Sequence, residues 1–144
     1  MADELFHLEV ITPVKSVFAG EVAQVVAPGA KGLFGVLQGH VNYVTEVHPG
    51  PLSFSHQGQA HRYVVGGGFA QVGATRVVLL VGECQAASDI DAEAARRDML
   101  AAERVLLEHE PSSREYLDAR AALDMAQARV WAATGGEAPG AESH

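Results

Sequence analysis

The stretch from Arg76 to Leu100 reads "RVVLLVGECQAASDIDAEAARRDML" and contains the change of pattern that decides the fold. Its first ten residues are rich in Val and Leu and are typical of β-strands. From Ser88 onward, alanine and charged residues replace the β-branched ones, and apolar residues recur at helical spacings of three and four. The sequence therefore predicts a β-rich part that is followed by a helical part, with the boundary between residues 87 and 88.

The β-rich part, residues 5–86, consists of short runs of Val, Ile, Phe and Tyr that are separated by glycine, proline or polar turns. In "HLEVIT", Leu8, Val10 and Thr12 alternate with the residues between them, as in a strand with one buried face. Many such runs at close spacing favour a sandwich or a barrel. The runs expected to form strands are LFHLEVITP, KSVFAG, EVAQVVAP, LFGVL, VNYVTEV, GPLSFSH, AHRYVVGGG, FAQV and RVVLLVGECQ.

The first helix is predicted to begin at Ser88, whose hydroxyl can accept from an early helical amide, with Asp91 three residues on as a variant of the capping box. Its apolar stripe runs at alternating spacings of three and four. Pro111 interrupts the pattern and ends this helix. The stripe consists of Ala92, Ala95, Met99, Ala102 and Leu106.

A second helix is predicted after Ser112, which with Glu115 forms another capping box, and the glycines at 135–136 stop it. Its stripe consists of Tyr116, Ala119, Leu123, Ala126 and Val130. Two stripes of matching period joined by a short turn indicate an antiparallel hairpin. We therefore expect a β-domain, sandwich or barrel, over residues 1–87, a hairpin over 88–134 and a disordered tail over 135–144.

The seam between the two predicted helices is rich in alanine, so it buries little apolar area in each turn. At about 25 cal/mol per Å², such a seam is marginal against the entropy of ordering two helices. The hairpin is therefore expected either to pack on another surface or to move.

Composition limits the function classes. A chain of 144 residues with 48% hydrophobic residues can bury one core and a small appendage. The formal charge is −8, of which residues 88–144 carry −6, so nucleic acid is an unfavourable partner. No membrane span or export signal is evident, and Cys84 is the single cysteine. These features lead us to expect a soluble, unexported protein of a reducing cytosol.

The sequence contains no recognisable catalytic or metal constellation. The glycine-rich segments APGAKG and GGGFAQVG lack the spacing of phosphate-binding loops, and a bulge or bend is the expected role of Gly66–Gly68. The pairs His40/His48 and His56/His61 lack the spacing of a metal site, so no metal is expected. Ser53 and Ser55 lie in an ordinary alternating strand. We therefore expect no enzymatic activity, and keep a stand-alone β-sandwich module that binds a sugar or metal, or a small β-barrel enzyme, as alternatives.

Several blocks in a fixed order resemble the epsilon subunit of bacterial F-type ATP synthases. They are VAPGAKGLFGVLQGHVNYVT (residues 26–45), HPGPL, VVGGGFAQV, VVLLVGEC and SDIDAEAARR. The resemblance extends from Leu5 to about Val130. It implies a sandwich of about ten strands followed by a two-helix hairpin, in a non-catalytic rotor subunit of the central stalk of a proton-translocating synthase.

The resemblance also implies partners and a location. The sandwich would join the gamma subunit to the ring of c subunits, and the hairpin would restrain ATP hydrolysis by the alpha and beta subunits. The protein would lie on the cytoplasmic side of the bacterial plasma membrane, held there through the complex. The implied residues at the c-ring and gamma interface are Leu33, Phe34 and His40, and two adjacent large apolar residues such as Leu33 and Phe34 cannot both point inward in a regular strand.

For the hairpin, the resemblance implies regulatory contacts, and a nucleotide site in some members. The implied regulatory residues are Arg114, Tyr116, Arg120, Leu123, Arg129 and Trp131. The ATP-binding segment of those members, [I/L]-D-x-x-R-A, corresponds to Ile90 and Asp91, but Ala94 replaces the arginine. Arg96 and Arg97 could substitute only from another face of the helix. No cofactor is therefore expected, and regulatory ATP binding stays an alternative.

Overall fold

The computed structural model describes residues 5–29, 32–36 and 42–135. Ten strands come first: β1 (Phe6–Ile11), β2 (Ser16–Val22), β3 (Gln24–Gly29), β4 (Gly32–Val36), β5 (Tyr43–Val47), β6 (Gly50–His56), β7 (Gln59–Val65), β8 (Gly68–Val72), β9 (Arg76–Val81) and β10 (Cys84–Ala86). A 3₁₀ turn (Ala87–Asp89) leads to the helices α1 (Ala92–Glu108) and α2 (Arg114–Thr134).

The strands form two five-stranded sheets that pack face to face. The first sheet has the order β2-β1-β9-β8-β5, and the second has the order β10-β7-β6-β3-β4. β1 and β9 are parallel, whereas the neighbouring strands β1 and β2, β8 and β9, and β6 and β7 are antiparallel. The fold is therefore a sandwich, which decides against the barrel that the strand pattern also allowed.

The core lies between the two sheets and follows the predicted alternation. Leu8 and Val10 are fully buried, whereas Ile11 at the end of the same strand faces outward and is partly exposed. The strands contribute mainly Val and Leu to this core, since branched side chains pack well on a pleated surface. Its buried members are Phe6, Leu8, Val10, Val22, Val25, Ala27, Val36, Val47, Leu52, Phe54, Val65, Ala70, Val72, Val77, Leu79 and Val81.

The glycines at 66–68 lie where β7 leads into β8, as the sequence predicted for a bend. Gly68 begins β8 directly beside β9, and a Cβ added there would collide with the backbone of Leu80. Only glycine therefore lets these two strands approach at this point.

Both helices begin later than the sequence analysis predicted. Ser88 lies in the 3₁₀ turn, and the carboxylate of Asp91 caps α1 by accepting hydrogen bonds from the amides of Glu93 (3.0 Å) and Ala94 (3.3 Å). In α2 the cap is Ser113 and not Ser112, because the Ser113 hydroxyl accepts from the Tyr116 amide at 3.1 Å. Ser88, Asp89 and Asp91 lie close together before α1, and Ser112 and Ser113 are adjacent before α2, so spacing alone could not select the cap.

The end of α2 is as predicted. Gly135 adopts a φ of +84°, and its amide donates to the carbonyl of Trp131 at 2.7 Å. The tail predicted to be disordered continues from 136 to 144, outside the described residues. Within the described ranges, no helix is long and apolar enough to cross a membrane.

Candidate regulatory interface

Helix α2 has two buried faces. Ala119, Leu123 and Ala126 are buried in the hairpin, where α2 packs against α1. Ala128, Trp131 and Ala132 lie on another side of the helix and form a second cluster with Val64 of β7. The hairpin therefore packs on the outer face of the second sheet, which supplies the additional surface that its alanine-rich seam required.

The apolar stripe predicted from the sequence accounts for only the first of these faces. The second face has its own helical spacing, with Met125 also packed against the cluster at Ala128 and Trp131. A helix that is apolar on more than one side belongs between two neighbours. This spacing could have revealed the second buried face from the sequence. It was not distinctive, because alanine occurs on both faces and is also common on exposed helix surfaces.

Arg62 of β7 holds the end of α2. Its guanidinium carbon lies 6.0 Å from the centre of the Trp131 ring, and its Nε donates to the carbonyl of Ala132 at 3.2 Å. The last carbonyls of a helix lack intrahelical partners and carry partial negative charge. A cation here therefore satisfies one carbonyl and stabilises the helix end, a role that the sequence pattern did not assign to Arg62.

Arg129 joins α2 to the edge of the second sheet. Its Nε donates to Oε1 of Gln85 at 2.9 Å, and its Nη2 lies 3.9 Å from Oε1 of Glu83. The carboxylate of Glu83 is largely exposed, so this ion pair adds little. The hydrogen bond to Gln85 is the more directional contact and sets the position of the helix over β10.

An open cleft of about 600 Å³ lies where α2 leaves the sheet. Leu33 lines it from the sandwich side, and Arg120, Asp124 and Met125 line it from the helix. The side chains of Arg120 and Asp124 are paired at 3.7 Å across one helical turn. The cleft is therefore part of the surface between the two parts of the chain, and not a separate pocket within the sandwich.

The adjacent residues Leu33 and Phe34 point to opposite faces of β4. Phe34 packs against the sandwich core, whereas Leu33 faces the cleft beneath α2. This arrangement explains the apparent conflict of two large apolar neighbours, since successive strand residues alternate between faces. His40, the third residue implied at the c-ring and gamma interface, lies outside the described residues.

The structure does not gather the six regulatory residues of the hairpin at one place. Arg114 and Arg120 are exposed and paired with acids four residues on, at 3.7 Å each. Tyr116 is half-buried in the first turn of α2, and Leu123 lies in the seam. Arg129 and Trp131 face the sandwich, so in this conformation their side chains are engaged within the chain.

The four residues of the possible nucleotide site are likewise not brought together. Ile90 packs against the cluster around Trp131, and the Asp91 carboxylate is occupied as a helix cap. Arg96 pairs with Glu93 at 2.9 Å, and Arg97 is exposed without an ion pair to any described residue.

The chemistry of the remaining candidate groups is limited. Burial raises the pKa of the Cys84 thiol to about 11, which keeps it protonated and a weak nucleophile at neutral pH. Burial is also the main cause that raises the pKa of Tyr63, and the nearby Cys84 and Asp89 raise it further. In the part of the chain that the structure describes, no three His, Cys, Asp or Glu side chains are grouped as metal ligands.

Comparison with known proteins assigns the family. The family described as "ATP synthase, Delta/Epsilon chain, beta-sandwich domain" matches residues 5–87. The ATP synthase epsilon chain of Anaeromyxobacter sp. (strain Fw109-5) is 37% identical over 123 residues, which cover 85% of this chain and 93% of that protein. The epsilon chain of Nitratidesulfovibrio vulgaris (strain DP4) is 36% identical over 128 residues, covering 89% of this chain and 95% of that one.

Solved structures share the fold at lower identity. A chain of the Euglena gracilis mitochondrial ATP synthase has a TM-score of 0.75 and 23% identity, over 88% of this chain and 80% of that chain. A chain of the Tetrahymena thermophila mitochondrial ATP synthase has a TM-score of 0.57 and 12% identity, over 93% of this chain and all of that one. The family match replaces the alternatives of a stand-alone binding module and of a small enzyme: this chain belongs to the ATP synthase epsilon-chain family and is a non-catalytic subunit of the synthase.

Proposed function

We propose that this epsilon chain works in the central stalk, where its sandwich joins the gamma subunit to the c-ring and its hairpin restrains ATP hydrolysis by the alpha and beta subunits. The chain would lie on the cytoplasmic side of the bacterial plasma membrane and be peripheral to it. Support comes from the epsilon-chain relatives, and from the similar fold of a chain in a Tetrahymena structure of the "central stalk/cring".

The observation that carries the regulatory part of the proposal is the double packing of α2. Its end is held on the sandwich by Trp131, Arg129 and Arg62. Two of these residues, Arg129 and Trp131, are also regulatory candidates for contact with the catalytic subunits. Because one side chain cannot serve both surfaces at once, such contact requires α2 to leave the sandwich. The compact conformation would therefore be the one that permits hydrolysis.

The contact between α2 and the sandwich is small enough for the helix to exchange between a compact and an extended conformation. It consists of one large aromatic ring, a valine, alanines and a few polar contacts to Arg62 and Arg129. Burial of one Trp side chain and a few small ones contributes on the order of a few kcal/mol. A surface on the catalytic subunits that offers a similar contact could therefore shift the population from one conformation to the other.

The same proposal includes regulation without a bound nucleotide. It is supported by Ala94 in place of the arginine of the ATP-binding segment. Arg96 is also engaged with Glu93, so it would have to exchange that partner for a phosphate. The hairpin position would then depend on competition between protein surfaces alone.

The direct experiment removes residues 88–144 from the chain in the assembled synthase of the same organism. Rates of ATP hydrolysis and of ATP synthesis are then measured on the same membranes. Increased hydrolysis with synthesis retained supports an inhibitory hairpin. Unchanged hydrolysis at every ADP and ATP concentration would make the hairpin a structural part of the stalk. Loss of synthesis together with loss of the subunit from the complex would show instead that the hairpin is needed for assembly.

A further inference from the structure

Two histidine rings lie side by side where the core of the sandwich opens near the turn between β6 and β7. His61 is directly opposite Phe54 in the register of these strands, and His56 is the second residue after Phe54 on β6. All three side chains therefore project from the same face of the second sheet. The ring centres of His56 and His61 are 6.1 Å apart, and the rings are inclined by 55°. The strand pairing thus brings together two imidazoles that spacing along the chain left unrelated.

The hydrogen bond of His56 fixes its tautomer. Nδ1 lies 2.7 Å from the carbonyl oxygen of Glu21 on β2, and a carbonyl can only accept, so Nδ1 carries a proton and donates it to this bond. In the neutral imidazole the other nitrogen, Nε2, then holds the lone pair. Histidines that bind a metal usually donate their second nitrogen to a backbone carbonyl or a carboxylate in this way. His56 therefore has the arrangement of a metal ligand.

His61 has a buried nitrogen without a partner. Its Nε2 is shielded from solvent and makes no hydrogen bond to any described residue. Most buried polar atoms in proteins are paired, and an exception calls for a physical cause such as an ordered water or an ion. The ring stacks on Phe54 with the centres 5.3 Å apart and an angle of 14° between the planes, so packing holds it in place. His61 therefore supplies a second nitrogen that is positioned but unused.

The separation of the two rings fits one bound ion. Zn²⁺ binds an imidazole nitrogen at about 2.0–2.1 Å, which places the ion about 3.2 Å from the ring centre. Two rings that share the ion then have their centres about 5.2 Å apart at a tetrahedral angle, and about 6.4 Å apart when the ion lies on a straight line between them. The observed separation of 6.1 Å lies within this range, so the site requires no movement of the strands.

Aromatic rings close the site on the side of the core. The Phe18 ring lies edge-on to His56 with the centres 5.1 Å apart, and it contacts Phe54 at 4.4 Å. Among the residues that the structure describes, no third His, Cys, Asp or Glu joins the pair, so water would complete the coordination. Imidazole nitrogens suit Zn²⁺ and Cu²⁺, whereas Mg²⁺ and Ca²⁺ prefer oxygen ligands.

We propose that His56 and His61 bind one nitrogen-preferring transition-metal ion, of the class of Zn²⁺ and Cu²⁺, through Nε2 of each ring. The ion would have a structural role, because His56 also holds the carbonyl of Glu21 on β2, the edge strand of the first sheet. It would therefore fasten the β6–β7 hairpin of one sheet to the edge of the other. The site lies on the inner face of the second sheet, whereas α2 packs on its outer face, so the proposal does not depend on the regulatory role of the helices.

The experiment titrates the full chain, purified without a histidine tag and freed of metal with EDTA, with Zn²⁺ and separately with Cu²⁺ in a calorimeter. His61→Phe removes the unpartnered nitrogen but keeps an aromatic ring in its place. His56→Gln removes the imidazole but keeps a side-chain donor for the carbonyl on β2. His48→Gln is the matched control, because His48 is paired with Glu46 at 3.1 Å and not with a second histidine. Thermal unfolding without metal shows that each variant is folded.

The wild-type chain is expected to bind a single equivalent of either ion, and Cu²⁺ more tightly than Zn²⁺. His61→Phe and His56→Gln should each raise Kd at least about tenfold, since even loss of an outer-shell partner weakens metal affinity about 10–100-fold, whereas His48→Gln should leave Kd within about threefold. Saturating Zn²⁺ should raise the thermal midpoint of the wild-type chain and not that of His61→Phe.

Two results would overturn the proposal, and neither bears on the proposed function. Saturable binding that neither His61→Phe nor His56→Gln weakens would assign the ion to other residues. Absence of binding of both ions by the folded wild-type chain would leave the two histidines with a role in aromatic packing only.

Discussion

Arg62 and Trp131 are far apart in the sequence but in contact in the fold: the guanidinium carbon of Arg62 lies 6.0 Å from the centre of the Trp131 ring, and its Nε donates to the carbonyl of the next residue, Ala132. This pair joins β7 to the last turn of α2. It links the sandwich to the part of the hairpin that is assigned a regulatory role. The conformation of the hairpin is therefore expected to respond to substitution of either residue.

Trp131→Ala is expected to loosen α2 from the sandwich in the isolated chain. Trp131 is 7% exposed, and removal of a buried Trp costs about 3–5 kcal/mol where the site cannot refill. Hydrogen exchange should become faster in residues 119–134 and stay unchanged in β8 and β9. Arg62→Ala should have a smaller effect of about 1–2 kcal/mol. The exposed arginine variant Arg104→Ala serves as the control. Equal hydrogen-exchange rates in residues 119–134 of all three variants would show that the contact between Arg62 and Trp131 does not hold α2 on the sandwich.

Truncation after Ala87 is expected to leave a folded sandwich. The core between the sheets contains no residue of α1 or α2, and the family match also ends at residue 87. The fragment should show one cooperative thermal transition and retain a β-type circular dichroism spectrum. It will expose Val64, so a Val64→Thr version separates poor solubility from poor folding. An unfolded fragment in both versions would show that the hairpin completes the core.

ATP is expected not to bind the isolated chain. Titration calorimetry with ATP and Mg²⁺ at millimolar concentration should give no saturable heat, since Ala94 lacks the guanidinium that the ATP-binding segment has at this position. The Ala94→Arg variant, which restores the arginine of the family segment, is the informative comparison. Saturable binding to the wild-type chain that Arg97→Ala abolishes would contradict this prediction.

The sequence and the structure agree where periodicity was strong. The alternation through Leu8 and Val10 and the break at residues 87–88 predicted a sandwich or barrel followed by a helical hairpin, because one-sided burial leaves a regular pattern. The choice of a sandwich came from the family resemblance. The caps were placed wrongly at Ser88 and Ser112, since the choice among neighbouring polar residues depends on backbone direction, which spacing does not determine.

The surfaces were harder to predict than the elements. Alanine is compatible with both buried faces of α2, so the packing at Ala128 and Ala132 was not distinguished from solvent exposure. Arg62 lies on a strand far from α2 in sequence, and only the tertiary fold brings it to the helix end. Which outer face of the sandwich is covered depends on where the hairpin packs, and the strand pattern does not determine that.

Cys84 provides a test of packing at the edge of the second sheet. Burial raises the pKa of its thiol to about 11 from an unfolded value of 9.0. Because the pKa is raised on folding, the protonated thiol favours the folded state. Its contribution to the free energy of unfolding is complete below pH 9 and is lost as the pH rises through about 11. The thermal midpoint of the wild-type chain should fall more than that of Cys84→Ala between these values. At pH 8, iodoacetamide should react more slowly with the folded chain than with the unfolded one. Equal reaction rates would show an accessible, ordinary thiol.

ATP hydrolysis by the synthase that carries Arg62→Ala tests the central claim most directly, namely that the compact hairpin permits hydrolysis and its release inhibits. Arg62 lies on the sandwich side of the contact, so its loss weakens the compact state without removing a candidate contact with the catalytic subunits. The variant is compared with the wild-type chain, with the deletion of residues 88–144, and with Arg104→Ala as a surface control. The account predicts slower hydrolysis with Arg62→Ala, faster hydrolysis with the deletion, and no change with Arg104→Ala. Hydrolysis that stays at the wild-type rate in Arg62→Ala, while hydrogen exchange shows α2 released, would contradict it.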